Sequence, residues 1–218
     1  MINKQKGNMY AFVTHTWNPI KGECSHDCKY CYMKLWKQKP LRLVESDLND
    51  NLGQNNFIFV GSSTDMFADD VNYSWIMRVL KTCCKYPENT YLFQTKNPKR
   101  FNLFESQFPP KNIFGITLET NRDNDLSKSP SPVNRAVCLS NYKADLKMVT
   151  IEPIIDFDID KFIIMIKNIK PEWINIGADS KGHNLQEPSK EKVFALIDEL
   201  KKITDVKIKS NLKRIINE

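Results

Sequence analysis

Cys24, Cys28 and Cys31 fall within the stretch "CSHDCKYC", separated by three residues and then by two. Three thiolates from one short loop can wrap a single metal centre, but a closed structural zinc site takes a fourth ligand. His26 lies between two of the cysteines, where binding the same ion as its neighbours is awkward, and no second cysteine pair has zinc-ribbon spacing. A four-iron cluster normally carries four cysteinyl ligands, so three leave one iron open to a substrate or cofactor. A catalytic metal site keeps a position unfilled by the same logic. Of the remaining cysteines, Cys83 and Cys84 sit in a helical pattern and Cys138 in "NRAVCLS". All three read as small core residues.

The elements that must carry this loop show as short apolar runs ending in small or polar residues. They are "YAFVTHTW" (10–17), "FIFVGSS" (57–63), "TYLFQTK" (90–96), "IFGITLE" (113–119), "KMVTIEP" (147–153) and "WINIGAD" (173–179). Their length and their β-branched and aromatic content predict strands buried on both faces. Helical stripes lie between most of them. One is Trp75, Ile76, Val79, Leu80 and Cys83, and a second centres on Phe162, Ile163 and Ile166. A third comprises Val193, Leu196, Ile197, Leu200 and Ile203, opened by Ser189 as N-cap with Glu191 in its first turn. A further helix is expected around Val133–Leu139.

Strand alternating with helix about six times calls for a parallel sheet with helices outside. A closed eight-unit barrel usually needs about 250 residues, and the chain has 218. The expectation is therefore an α/β fold: a partial (β/α)6 TIM-like barrel of parallel strands, with residues 1–218 as one domain. "VKIKSNL" (206–212) supplies a last short strand at its edge.

Composition narrows the class. With 41% hydrophobic and 27% charged residues the chain can bury a globular core. No run approaches the roughly 18 apolar residues of a membrane span, and "MINKQKGNMY" has no apolar signal core, so the expected location is cytoplasmic. In a reducing compartment six cysteines are metal ligands, catalytic thiols or core residues rather than disulfide partners. The net charge of +6 is spread along the chain; it serves solubility and permits an anionic partner without indicating one.

Sites on parallel sheets form at the C-terminal ends of strands. That rule selects the loop after Trp17, then Ser62, Ser63, Thr64 and Asp65, Gln94 and Lys96, Glu119, Glu152 and Asp179. Strand ends are polar in any protein, and it is their convergence with the cysteine loop that favours a site.

C-x3-C-x2-C, with aromatic Tyr30 just before the last cysteine and a strand before the first, resembles the radical S-adenosylmethionine (SAM) superfamily. A second similarity covers about Thr16 to Lys209. The segments "TWNPIKGECSHDCKYCY", "FVGSSTDMF", "FQTKNPKRF", "GITLET", "TIEPI" and "GADSKG" resemble, in that order, a phage- and prophage-associated radical-SAM-like family of undetermined function. Two departures stand out: that family usually has a longer stretch between the first two cysteines, and Gly-Gly-Glu-Ser where this chain has "GADS".

The resemblance implies that Cys24, Cys28 and Cys31 hold a 4Fe-4S cluster, with SAM chelating the open iron through its amino and carboxylate groups. Electron transfer would cleave the sulfonium to methionine and a 5′-deoxyadenosyl radical that abstracts hydrogen from substrate. Tyr30 would face the adenine. Ser62, Ser63 and Asp65 would accept from the methionine ammonium. Lys96 would pair with the SAM carboxylate, and Glu119 would accept from the ribose hydroxyls. Glu152, Asp179 and Lys209, on later strands, would face substrate and orient it or move a proton. The blander alternative for these charged residues is ion pairing at the barrel rim, and for Tyr30 packing beneath the loop. His15 is assigned no role. Expected partners are a reductant protein, such as a flavodoxin-like electron donor, and a nucleic-acid or nucleotide substrate. A zinc-binding protein and a nucleic-acid-binding module without radical chemistry are the rival readings.

Overall fold

The structure, a computed structural model, describes residues 1–217. The elements run in chain order β1 (Ile2–Lys4), β2 (His15–Trp17), β3 (Ile20–Lys21), β4 (Arg42–Leu43), β5 (Phe57–Val60), α1 (Tyr73–Cys84), β6 (Thr90–Thr95) and β7 (Asn112–Thr117), then α2 (Pro132–Asn141), β8 (Lys147–Ile151), α3 (Ile159–Ile169), β9 (Trp173–Ile176), α4 (Lys190–Lys201), β10 (Asp205–Ile208) and α5 (Lys213–Ile216). Among the described residues, eight strands form one sheet in the order β1-β2-β5-β6-β7-β8-β9-β10. Every pairing from β2 to β10 is parallel. The ends of the sheet do not pair, so this is the expected partial barrel, with β10 at one edge.

Two features differ from expectation. The first apolar run is a strand only over His15–Trp17; its front half, Tyr10 to Thr14, folds back into the barrel instead. That fold-back lets β1 return antiparallel to β2, pairing Ile2 with Trp17, a strand too short and polar to read from sequence. Cys84 is exposed and not a core residue, because the buried stripe of α1 (Ile76, Val79, Leu80, Cys83) leaves the next position around the helix facing out. Cys138 is only half-buried, on the edge of the α2 stripe formed by Arg135, Ala136 and Leu139.

Strand alternation sorts the side chains into two layers. Outward, Ile58, Val60, Tyr91, Phe93, Phe114, Ile116, Val149, Ile151, Ile174 and Ile176 meet the helices in the main core. Inward and low, Phe59, Leu92, Ile113 and Met148 pack on Tyr10 and Val13 of the fold-back, which fills the base of the barrel. Continuing up the inner face at every second residue, the sequence turns polar: Gln94 then Lys96, Thr117 then Glu119, Thr150 then Glu152, Asn175 then Asp179 after Gly177. The functional rim is therefore the upper continuation of the same inner face whose lower part is apolar.

Helix caps agree with the sequence: Ser189 accepts from the Lys192 amide at 3.3 Å, and Asn72 and Ser131 cap α1 and α2 in the same way. An aromatic cluster joins the outer face of β6 and β7 to the segment before β7. Phe101 is fully buried, with its ring centroid 4.8 Å from both Phe67 and Phe114. Phe101→Ala should cost about 3–5 kcal/mol, read in urea unfolding as a lower midpoint with unchanged slope.

Candidate active site

The cysteine loop starts at Gly22, whose φ of +117° and proximity to Pro40 exclude a side chain: a Cβ there would lie 2.5 Å from the Pro40 carbonyl oxygen. The loop is braced by its own turns, Asp27 N to Cys24 O and Cys31 N to Cys28 O, both 3.1 Å. It is also pinned to the loop before α2, because Lys29 N donates to Leu126 O at 2.8 Å and Lys128 N to His26 O at 2.7 Å. Cys24, Cys28 and Cys31 are free thiols, partly exposed, and line one cavity of about 790 Å³ at the C-terminal rim.

Burial, reinforced by the charge of Asp65, pushes the Cys24 thiol up to about 12, and burial raises Cys28. The Cys24 and Cys28 thiols are thereby held in their neutral form near neutral pH, and metal binding to them would release protons. The donor set fits an iron–sulfur cluster. Thiolates of a four-iron cluster each take a different iron, so three cysteines of one loop can serve it without converging on a single ion.

Asp65 sits beneath this loop with its carboxylate filled by donors. Oδ2 accepts from His26 Nε2 at 2.9 Å and the Lys96 amide at 2.8 Å; Oδ1 accepts from the Phe67 amide at 3.0 Å, and the Thr95 hydroxyl reaches both oxygens. A carboxylate has about four acceptor positions, so Asp65 keeps none for a ligand ammonium. These bonds tie His26 and the cysteine loop to the ends of β5 and β6. Burial alone would raise its pKa; the His26 hydrogen bond and charge, with the Lys96 and Thr95 donors, lower it. Ser62 and Ser63 remain suited to an ammonium. Ser62 donates its hydroxyl to Asn18 Oδ1 at 3.1 Å, which turns its oxygen lone pairs outward, and the Ser63 amide bonds the same Asn18 oxygen at 3.0 Å.

Lys96 faces the cavity with its Nζ 5.4 Å from the Tyr30 ring centroid and 3.3 Å from Glu119 Oε1. Glu119 lies behind it, 2% exposed, and is held at 2.9 Å by Arg135, itself 2% exposed, and by the Tyr30 hydroxyl. Buried and ion-paired with Arg135, Glu119 faces the Lys96 ammonium and accepts from the Tyr30 hydroxyl. Burial would raise the Glu119 pKa, but the charges of Arg135 and Lys96 outweigh it and hold the carboxyl down at about 2.

Across the cavity Glu152 Oε2 meets Lys209 Nζ at 2.6 Å, while Glu152 Oε1 accepts from Asn211 at 2.7 Å and Asn8 at 3.0 Å. Gly177 makes room for this cluster, since a Cβ there would stand 2.7 Å from Glu152 Oε1. Lys209 also lies 4.8 Å over the Tyr10 ring, whose hydroxyl bridges Gln94 at 2.9 Å and Thr150 at 2.8 Å. Asp179 lines the cavity, but its oxygens hold the 179–183 loop by accepting from the Lys181 amide at 3.1 Å and His183 Nδ1 at 2.7 Å. His15 is bonded to Thr14 at 2.9 Å on the strand and takes no part.

All the sequence-selected residues except Glu119 line this one cavity. Those missed were Asn18, His26, Thr95 and Arg135, which position others, Tyr10 from the fold-back, and Asn8 just before it. Arg135 had a detectable signal: an arginine on the apolar stripe of α2, which has to find a buried anion. Removing it should be severe. Arg135→Met strands a buried carboxylate and should cost about 3–5 kcal/mol in unfolding measurements near neutral pH. Glu119, with a pKa below the ordinary value of 4.5, stabilises the fold above that pH, and the contribution is lost as pH falls towards about 2. Over that window the wild type should therefore lose stability more steeply than Glu119→Gln, by up to one proton in the linkage slope.

Solved structures share this architecture. A spore photoproduct lyase mutant with bound AdoMet and dinucleoside spore photoproduct superimposes with a TM-score of 0.66 and 11% identity, covering 94% of this chain and 78% of that one. A spore photoproduct lyase complexed with dinucleoside spore photoproduct gives 0.65 at 11% identity with the same coverages. At this identity the likeness is one of fold. No curated protein matches the sequence. The profile of a protein family of unknown function, DUF5131, matches residues 8–204, nearly the whole length, and the chain belongs to that family.

Proposed function

We propose that this protein is a radical SAM enzyme. The observation that carries the reading is the meeting, in one cavity at the C-terminal rim of a partial parallel barrel, of three free cysteines in C-x3-C-x2-C spacing with Ser62, Ser63 and Lys96. Cys24, Cys28 and Cys31 would hold three irons of a 4Fe-4S cluster. Ser62 and Ser63 present acceptors suited to the SAM ammonium and Lys96 a cation suited to its carboxylate, with Tyr30 beside them. Bound cluster and SAM supply reductive cleavage of the sulfonium and, through it, abstraction of a hydrogen atom from substrate.

The chain's own contribution is position and protons. Lys96, clamped between Glu119 and the Tyr30 ring, can pair with a carboxylate without losing its place. Glu152 and Lys209 form a proton-exchanging pair on the substrate side. Asp179 shapes the loop there rather than touching substrate. The family resemblance to phage- and prophage-associated proteins makes a nucleic acid or nucleotide the substrate class, and a reductant protein, flavodoxin-like in kind, the electron donor in the cytoplasm. No helix of the described residues is long and apolar enough to cross a membrane.

The test is anaerobic purification and reconstitution with iron and sulfide, then reduction and addition of SAM. The expected result is a cluster EPR signal perturbed by SAM, formation of 5′-deoxyadenosine, and loss of both in Cys28→Ala. A colourless protein that retains one zinc would overturn the proposal. Asp65→Ala should lower iron incorporation itself, because it leaves His26 without its buried partner at a cost of about 1–3 kcal/mol. Full iron loading with weakened SAM binding would instead return Asp65 to ligand contact.

A further inference from the structure

The cavity has an aromatic lip that the cofactor assignment leaves unused. Tyr32 and Trp36 stand on the turn just after Cys31, 43% and 58% exposed, with ring centroids 6.4 Å apart in an edge contact. Both line the cavity, and the Tyr32 hydroxyl is fixed by donating to the Ser62 carbonyl at 3.0 Å. Leu35 between them is 59% exposed. Large apolar side chains held in water beside a cavity mark a binding surface.

Charge identifies what would bind there. The carboxylates in the cavity wall are all engaged: Asp65 with His26, Glu152 with Lys209, Asp179 with His183. Lys4, Lys6 and Lys181 line the same cavity, are exposed, and stand outside these pairs. The cavity lining therefore combines exposed aromatic rings, set edge to face, with uncompensated cations. A peptide without acidic residues would use the apolar surface without needing the lysines, and a small anion the reverse. A nucleic-acid strand presents both a flat ring and a phosphate at every residue.

We propose that the exposed ring of Trp36, held edge to face against Tyr32, is a stacking platform for an unpaired nucleobase, with the phosphates of its strand held by Lys4, Lys6 and Lys181. This deepens the nucleic-acid reading above and rests on it. A base inside a duplex has both faces covered, so the platform selects single-stranded or extruded nucleotides.

Reconstituted protein, titrated against a fluorescein-labelled single-stranded oligonucleotide and against its duplex by fluorescence anisotropy, tests this. The single strand should bind more tightly, with affinity falling as salt rises. Trp36→Ala should weaken single-strand binding by about tenfold or more, since one stacked base is worth about 1–3 kcal/mol, and Trp36→Phe should restore most of it. Replacing Lys4, Lys6 and Lys181 together by Gln should flatten the salt dependence by about two units of slope, at about 0.7 per phosphate contact. Equal single-strand affinity in wild type and Trp36→Ala would overturn the platform. So would a Trp36→Ala variant that binds the strand normally but is reduced more slowly by a reductant protein, which would give the lip to that partner. Binding is measured without turnover: Trp36-dependent binding with no 5′-deoxyadenosine formation would fail the enzyme reading and leave the platform standing.

Discussion

The Asp65 carboxylate is the contact on which the site depends. A buried carboxylate is costly unless its lone pairs are filled, and here they are filled from three separate segments: His26 in the cysteine loop, the Phe67 amide after β5, and Thr95 with the Lys96 amide at the end of β6. Hydrogen bonds from all three segments converge on this one carboxylate. The charge therefore does what hydrophobic contact does elsewhere in the fold, and it does so with direction. It fixes His26, and through it the spacing of cysteines on either side; it fixes the Lys96 backbone, and so the starting point of the side chain that reaches the cavity.

A second buried charge, Glu119, sets the other end of Lys96. Arg135 neutralises it from behind while Tyr30 donates from the cysteine loop. Lys96 is thus placed by two acids, one gripping its amide and one facing its ammonium, and neither is exposed enough to compete for a ligand. This is why two carboxylates that look like ligand contacts act as positioning groups. Glu119 lies below the cavity surface, whereas Asp65 lines the cavity with its oxygens already engaged by internal donors.

The sequence made the strands, most helices and the rim legible because those follow from local periodicity. Apolar runs of strand length alternate with helical stripes, and the polar residue two positions beyond each apolar inward residue marks the rim. What periodicity does not show is who faces whom. Asp65 and His26 are 39 residues apart, and Glu119 and Arg135 meet only because α2 packs over β7. Both carboxylates were legible as strand-end residues, but the buried partners they face were not. The fold-back of Tyr10 to Thr14 was missed for a related reason: its apolar residues suit a strand as well as a barrel plug, and only the inner surface of the sheet, absent from any local window, decides between them.

The charge of the rim shows the same limit with a larger consequence. Counted in sequence, the strand-end carboxylates argue against a polyanion. Counted in space, each is matched by an internal cation or donor, while the uncompensated groups come from the N-terminal segment and the loop after β9. Screening over about 10 Å at moderate salt makes this local balance, rather than the chain's net charge, the quantity a phosphate feels. An overall +6 says little about partners. The same lysines placed around a mouth whose acids are already engaged by internal donors give an attractive field at the cavity.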